Sequence, residues 1–165
     1  MGRTADYSNQ TCSIAATLEV IGDPWTLLVI RDAFNGVSRF EQWQEHLGVA
    51  RNVLAARLKT LVRHGVLEPR AYSERPLRHE YVLTRKGKDL RNVLLTLHGW
   101  GSKHLYGDGG GAGVSFTHKS CGHELDPALA CGCCGQLVKS RDLEMSVREG
   151  SRTVGEVLGE KDEAA

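Results

Sequence analysis

The sequence predicts a mainly α-helical domain carrying one small β hairpin, followed by a short module rich in cysteine. Three observations predict it. Apolar residues recur at helical spacing in successive segments from Cys12 to Leu61. Two short β-prone runs then flank a proline at position 76. Behind a glycine-rich stretch at 107–113, the composition changes to paired Cys and His.

Cys12 to Ile21 reads as a first helix with Ile14, Leu18 and Ile21 on one side. Gly22 ends it, and Asp23-Pro24 opens the next helix, Asp as an N-cap and Pro at the first helical position. Trp25, Leu27, Leu28, Val29, Ile30, Ala33 and Phe34 make that second helix apolar enough to be central, and Asn35-Gly36 stops it. Ser38 is the expected cap of a third helix, whose stripe is Phe40, Trp43 and Leu47, and Gly48 marks the turn. In the fourth helix Leu54, Leu58, Leu61 and Val62 form a buried stripe. Its opposite face carries Asn52, Ala55, Ala56, Lys59 and Arg63, with Arg51 in the opening turn. Small residues flanked by cations let a helix come close to a grooved anionic surface. Two such helices about a tight turn are a helix-turn-helix, whose second helix the major groove of DNA accepts.

Val66–Ser73 and His79–Leu83 read as strands, with Glu74 to Arg78 between them and Pro76 pinning the tip. A hairpin in this place is a wing, lined by Arg70, Arg75 and Arg78. From residue 39 to 91 there are twelve Lys/Arg against six Asp/Glu, although the whole chain carries only +1. A polyanion exploits such asymmetry, because each neutralised phosphate releases counterions. Arg39 and Pro76 complete the candidate DNA-contact set of Arg39, Arg51, Asn52, Ala55, Ala56, Lys59, Arg63, Arg75, Pro76 and Arg78. Arg51 and Asn52 suit base edges, Arg preferring guanine and Asn adenine, whereas the other cations suit phosphates or the minor groove. Thr84 caps a long helix expected to reach about Tyr106, with a seam of Leu90, Val93, Leu94, Leu97, Trp100 and Leu105. That seam either packs within the chain or, as favoured here, pairs with a second copy.

From about Cys12 to Trp100 the chain resembles the HxlR-type winged-helix transcriptional regulators of prokaryotes. The resemblance lies in the Cys12-Ser-Ile-Ala start, Gly22-Asp23-Pro24-Trp25-Thr26, Arg39-Phe40, Arg51-Asn52-Val53-Leu54, Tyr72-Ser73-Glu74-Arg75-Pro76 and Leu83-Thr84-Arg85-Lys86-Gly87. It implies a homodimeric DNA-binding regulator, and it makes Cys12 a candidate oxidant- or electrophile-sensing thiol. The residues alone also allow Cys12 to be a buried structural cysteine.

Composition is that of a globular chain, 41% hydrophobic and 25% charged, and no apolar run is long enough to cross a membrane. Residues 1–9 lack the apolar core of a signal peptide, so cytoplasm is the expected compartment. Four of the five cysteines cluster late, which in a reducing compartment points to metal before disulfides.

The expected organisation is a winged helix-turn-helix over 10–106, a flexible glycine-rich linker over 107–113, a zinc-ribbon-like module over 114–143 and a short amphipathic, acidic tail over 144–165 with Val147, Val154, Val157 and Leu158. In the module, His118 and Cys121, and Cys131 and Cys134, form two half-sites, each with a glycine after its second member. Three thiolates and an imidazole are a structural zinc set. His123 for His118 and Cys133 for Cys134 stay open, as does redox chemistry at the vicinal Cys133-Cys134 pair. Val114–Phe116 and Gln136–Val138 are the expected strands. An enzyme is not expected, since no carboxylate stands at general-base spacing from a ligand. The partners expected are double-stranded DNA with an inverted repeat, a second copy of the chain, and a small-molecule or oxidant effector.

Overall fold

The computed structural model describes residues 6–106, 113–146 and 148–159. Most of the expected glycine-rich linker, Val147 and residues 160–165 lie outside them. The chain divides into two units, one running to Asp89 and resuming at Arg148, the other Leu90–Val147.

The first unit begins with α1 (Ser13–Ile21) and α2 (Pro24–Phe34). Asp23 caps α2 as its local chemistry dictates: its carboxylate accepts from the Trp25 N–H at 3.0 Å, and Pro24 occupies the first turn. Helices α3 (Phe40–Leu47) and α4 (Arg51–Arg63) follow, joined through Gly48 at φ 63°, a left-handed conformation that glycine adopts without strain. Ser38 is not the cap of α3. Arg39 holds the N-cap position, and the Gln42 side chain reaches back to accept from the Arg39 N–H at 3.0 Å, while the Ser38 hydroxyl turns to Glu80.

The core is built from one stripe of each helix. Val29, Ile30, Trp43, Leu54, Leu58 and Leu61 are fully buried, and Val66 and Leu67 close the far side. Trp43 also satisfies its one polar atom, donating Nε1–H to the Val29 carbonyl at 3.2 Å. Asp32, a charged residue within the apolar α2, is completely buried. It accepts from Arg31 Nε at 2.8 Å and pairs with His46 Nδ1 at 2.9 Å, so it ties α2 to α3.

The hairpin is tighter than expected. β1 (Leu67–Glu74) pairs antiparallel with β2 (Leu77–Leu83), so Arg78 belongs to a strand and only Arg75-Pro76 form the connection. The register shifts between Ala71 and Ser73, leaving Tyr72 as a bulge. The hairpin is anchored to the segment leading into α3 by the Tyr81 N–H, which donates to the Ser38 carbonyl at 2.7 Å. Thr84 caps as expected, accepting from the Gly87 N–H at 3.0 Å and donating to the Gly65 carbonyl at 2.6 Å. A side chain at the buried Gly87 would collide with the Val66 carbonyl.

The single long helix expected after the wing is in fact two: α5 (Arg85–Asp89) and α6 (Arg91–Gly101), separated at Leu90, with a π-helical turn over Ser102–Tyr106. The domain limits expected at 106 and 144 also shift. α6 groups with residues up to 147 because its surface has partners there: the His98 ring meets Phe116 edge-on at 4.9 Å, and Gly99 leaves room for the Pro127 ring. The expected ribbon strands are reduced to single bridges, Thr117 with Glu124 and Ala130 with Leu137.

The segment 148–159 does more than solvate an end. In α7 (Val154–Leu158) Val154 is buried, its N–H donates to the Gln10 carbonyl at 2.7 Å, and Gly155 donates to Ser8 at 2.9 Å.

Candidate nucleic-acid interface

Arg51, Asn52, Ala55, Ala56, Lys59 and Arg63 are all exposed, while Leu54, Leu58 and Leu61 of the same helix are buried. These six residues recur at i, i+1, i+4, i+5, i+8 and i+12, which keeps them on one face of α4. Ala55 and Ala56 leave the middle of that face low, so nothing on it stands between the backbone and a docked surface.

Arg51 is held in place by its neighbours. Its Nη1 donates to Gln44 Oε1 at 2.9 Å and its guanidinium lies 4.7 Å above the Phe40 ring. Both supports come from α3. In the sequence Phe40 is one member of an apolar stripe; the structure makes it also the platform of Arg51. Arg39 is likewise stacked, 4.4 Å over the ring of Tyr72 at the β-bulge. Arg39 therefore links the start of α3 to the wing. Arg75, Pro76 and Arg78 are exposed at the wing tip. Arg70 of β1 is engaged by Glu68. Arg57 faces away from the candidate surface and pairs with Asp23 at 2.9 Å, a structural tie that its charge alone did not announce.

The C-terminal end of α4 is crowded with cations. His64 caps it, with Arg63 Nη2 3.2 Å from its Nε2, and Lys86 Nζ donates to the His64 carbonyl at 2.9 Å. Burial first, then Arg63, then Lys86 hold the His64 imidazole below its usual 6.5, against a weaker opposing pull from Glu19. A histidine depressed in the fold favours the neutral form. Stability is therefore complete above the ordinary value of 6.5 and falls as the pH drops from there toward the lower folded value, because the unfolded chain binds the proton first. Urea midpoints measured at pH 7.5 and 5.5 should show this loss, and His64→Gln should reduce it.

In the tail, His118 Nδ1 lies 3.2 Å from Cys121 Sγ. Backbone N–H of Cys134, then of Cys133, and then the Cys134 thiol all lower the Cys131 thiol from its usual value. Cys12 is exposed and occupies the N-cap position of α1, with no side-chain cap bond of its own.

A basic, exposed second helix with a supporting α3 and a hairpin wing is the arrangement of a winged helix-turn-helix. The family described as HxlR-like helix-turn-helix matches residues 20–108, which is more than half of the chain. The chain belongs to the HxlR-like family. This HxlR-like protein is 40% identical over 131 residues to the uncharacterized HTH-type transcriptional regulator Rv3095 of Mycobacterium tuberculosis, covering 79% of this chain and 82% of that one. Among solved structures, the candidate transcription factor PA1607 superposes with a TM-score of 0.71 at 35% identity, covering 82% of this chain and 94% of its own. The redox regulator HypR in its oxidized form gives a TM-score of 0.51 at 27% identity over 55% of this chain and 95% of that one. These HxlR-like relatives are transcription regulators rather than enzymes by name, and this protein is a transcriptional regulator of helix-turn-helix type. Among the described residues no single helix is long and apolar enough to cross a membrane.

Proposed function

We propose that this protein reads a two-fold-symmetric DNA site as a homodimer, with α4 in the major groove and the β1–β2 wing against the flanking backbone. The observation that carries the reading is the exposed face of α4, where Arg51 is oriented in advance by Phe40 and Gln44. Arg51 and Asn52 read base edges; Lys59, Arg63, Arg75 and Arg78 hold phosphates or the minor groove and set the register. Arg39 and Pro76 position the wing, and Ala55 and Ala56 permit close approach.

Apolar surface left uncovered in the single chain supports pairing. Ile14 on α1 is 69% exposed, and on α6 Leu97 is 48% and Trp100 58% exposed. A two-fold dimer would set its two α4 helices about 34 Å apart, one turn of duplex.

Arg51→Ala is expected to narrow the affinity gap between operator and random duplex by about 10- to 100-fold. Lys59→Ala is expected to weaken both duplexes by the same factor and to flatten the log–log salt dependence by about one unit. Fluorescence anisotropy titrations over a salt series measure both; unchanged operator affinity in the two variants would remove α4 from the interface.

A second reading rests on Cys12. An exposed thiol at the opening of α1, in a chain similar to a redox regulator, suits a switch in which oxidation changes DNA affinity. An identical response to oxidant in wild type and Cys12→Ser would dismiss it.

A further inference from the structure

Residues 113–146 pose a physical problem that the DNA-reading function does not address. Among the described residues of this stretch none is fully buried, and only Pro127, Cys131 and Val138 are half-buried. Leu129 and Leu137 are each 69% exposed. Yet the backbone is not irregular. It makes the same turn twice, thirteen residues apart.

In the first turn the His118 N–H donates to the His123 carbonyl at 2.8 Å, and the Gly122 N–H donates to the His118 carbonyl at 2.8 Å. In the second, Cys131 donates to Gln136 and Gly135 donates to Cys131, both at 2.8 Å. The flanking bonds match as well, Leu125 to Phe116 at 2.7 Å and Val138 to Leu129 at 2.8 Å. Gly122 and Gly135 share a φ of 73°, which a residue with a Cβ rarely adopts. Each turn therefore brings the side chain at its first position and that three residues later to one side of a curled backbone. His118 Nδ1 and Cys121 Sγ stand 3.2 Å apart, near the roughly 3.5 Å edge that Zn–N and Zn–S bond lengths give a tetrahedron. In the second turn the positions equivalent to His118 and Cys121 are held by Cys131 and Cys134.

We propose that these two equivalent turns are the halves of one structural zinc site, with His118, Cys121, Cys131 and Cys134 as its ligands. The geometry separates these four from their neighbours. The His123 ring is directed at a backbone carbonyl, that of Cys121, at 3.0 Å, and in the repeated turn Cys134 falls at the position of Cys121 whereas Cys133 falls at that of Ser120. Among the described residues no three His, Cys, Asp or Glu side chains stand together as a metal-binding group. Zinc binding by these four therefore requires the two half-sites to close around the ion, which would supply the cohesion that a buried core does not give this stretch. On binding, three S–H bonds break and their protons pass to solvent. Three Zn–S bonds and one Zn–N bond to neutral imidazole replace the water around the free ion. Four protein donors close the shell, so the role is structural.

The test uses the full-length chain, reduced and purified without chelator. Elemental analysis should find one zinc per chain. Titration of the metal-free protein with Co2+ should give the visible absorption of a tetrahedral thiolate site, a readout that depends on no variant. Cys121→Ser and Cys131→Ser should each weaken zinc in chelator competition by on the order of 100-fold or more, and Cys133→Ser should leave it unchanged. Absence of stoichiometric metal after reconstitution, or wild-type affinity in both Cys121→Ser and Cys131→Ser, would overturn the site. Loss of metal in Cys133→Ser but not in Cys134→Ser would overturn the ligand assignment.

Discussion

Trp43→Ala is expected to destabilise the winged-helix unit by about 3–5 kcal/mol, the range for removing a large aromatic from a filled core. Trp43 is completely buried, and its ring faces Tyr81 of β2 at a centroid distance of 6.2 Å. The substitution empties a space walled by α2 and the hairpin, and it leaves the Val29 carbonyl without the indole donor. Small domains rarely hold more than 5–15 kcal/mol in total, so the variant should lose most of its cooperative transition. Denaturant titration followed by far-UV circular dichroism measures this. A midpoint within a few tenths of a molar of wild type would show that Trp43 is not the keystone of this core. Trp43→Phe, which keeps the bulk and loses the hydrogen bond, should recover a large part of the difference.

Ala55→Glu is expected to weaken operator binding by roughly 100-fold while leaving the fold intact. Ala55 is exposed in the middle of the α4 face, so a glutamate there is accommodated without touching Leu54 or Leu58. Against DNA it places a carboxylate between Arg51 and Lys59, at the point of closest approach to phosphates. Juxtaposed like charges cost several kcal/mol; on the order of 3 kcal/mol corresponds to roughly a 100-fold loss of affinity. Anisotropy titration with an operator duplex, beside a thermal melt, separates the two effects. Wild-type affinity in this variant would place the DNA elsewhere on the molecule.

How far the sequence led depended on whether a residue's role is local. Asp23-Pro24, Gly36 and Gly48 act through their own backbone, so the limits of α2 and α3 were readable in order. The buried stripe and the exposed basic face of α4 were readable because periodicity is a property of one helix. Roles that depend on a distant partner were not. Ser38 was the natural cap by residue type, yet Arg39 holds the N-cap position, the Gln42 amide oxygen accepts from the Ser38 and Arg39 N–H groups, and Glu80 takes the serine hydroxyl. Nothing local singles out Asp32, whose burial makes sense only once His46 of α3 is placed beside it. Phe40 and Gln44 were visible as an apolar and a polar residue, but their joint hold on Arg51 exists only once α3 crosses α4. The break at Leu90 was hidden because helix-forming residues continue through it, and nothing local marks the change. The two tail turns were foreseeable from Cys and Gly spacing, whereas their bond-for-bond equivalence was not.

The return of α7 to the first unit changes what can be cut from this protein. The polypeptide departs at Asp89, makes an excursion through residues 90–147, and comes home to bond the backbone of Ser8 and Gln10. Topologically the cysteine-rich module is inserted rather than appended. Shortening the chain behind Tyr106 would strip α1 of its neighbour as well as the module, whereas an internal deletion that keeps 148–159 would spare that clasp. Any fluorophore attached close to Gly155 would sit near the segment leading into Cys12, a vantage point for watching the sulfur that opens α1.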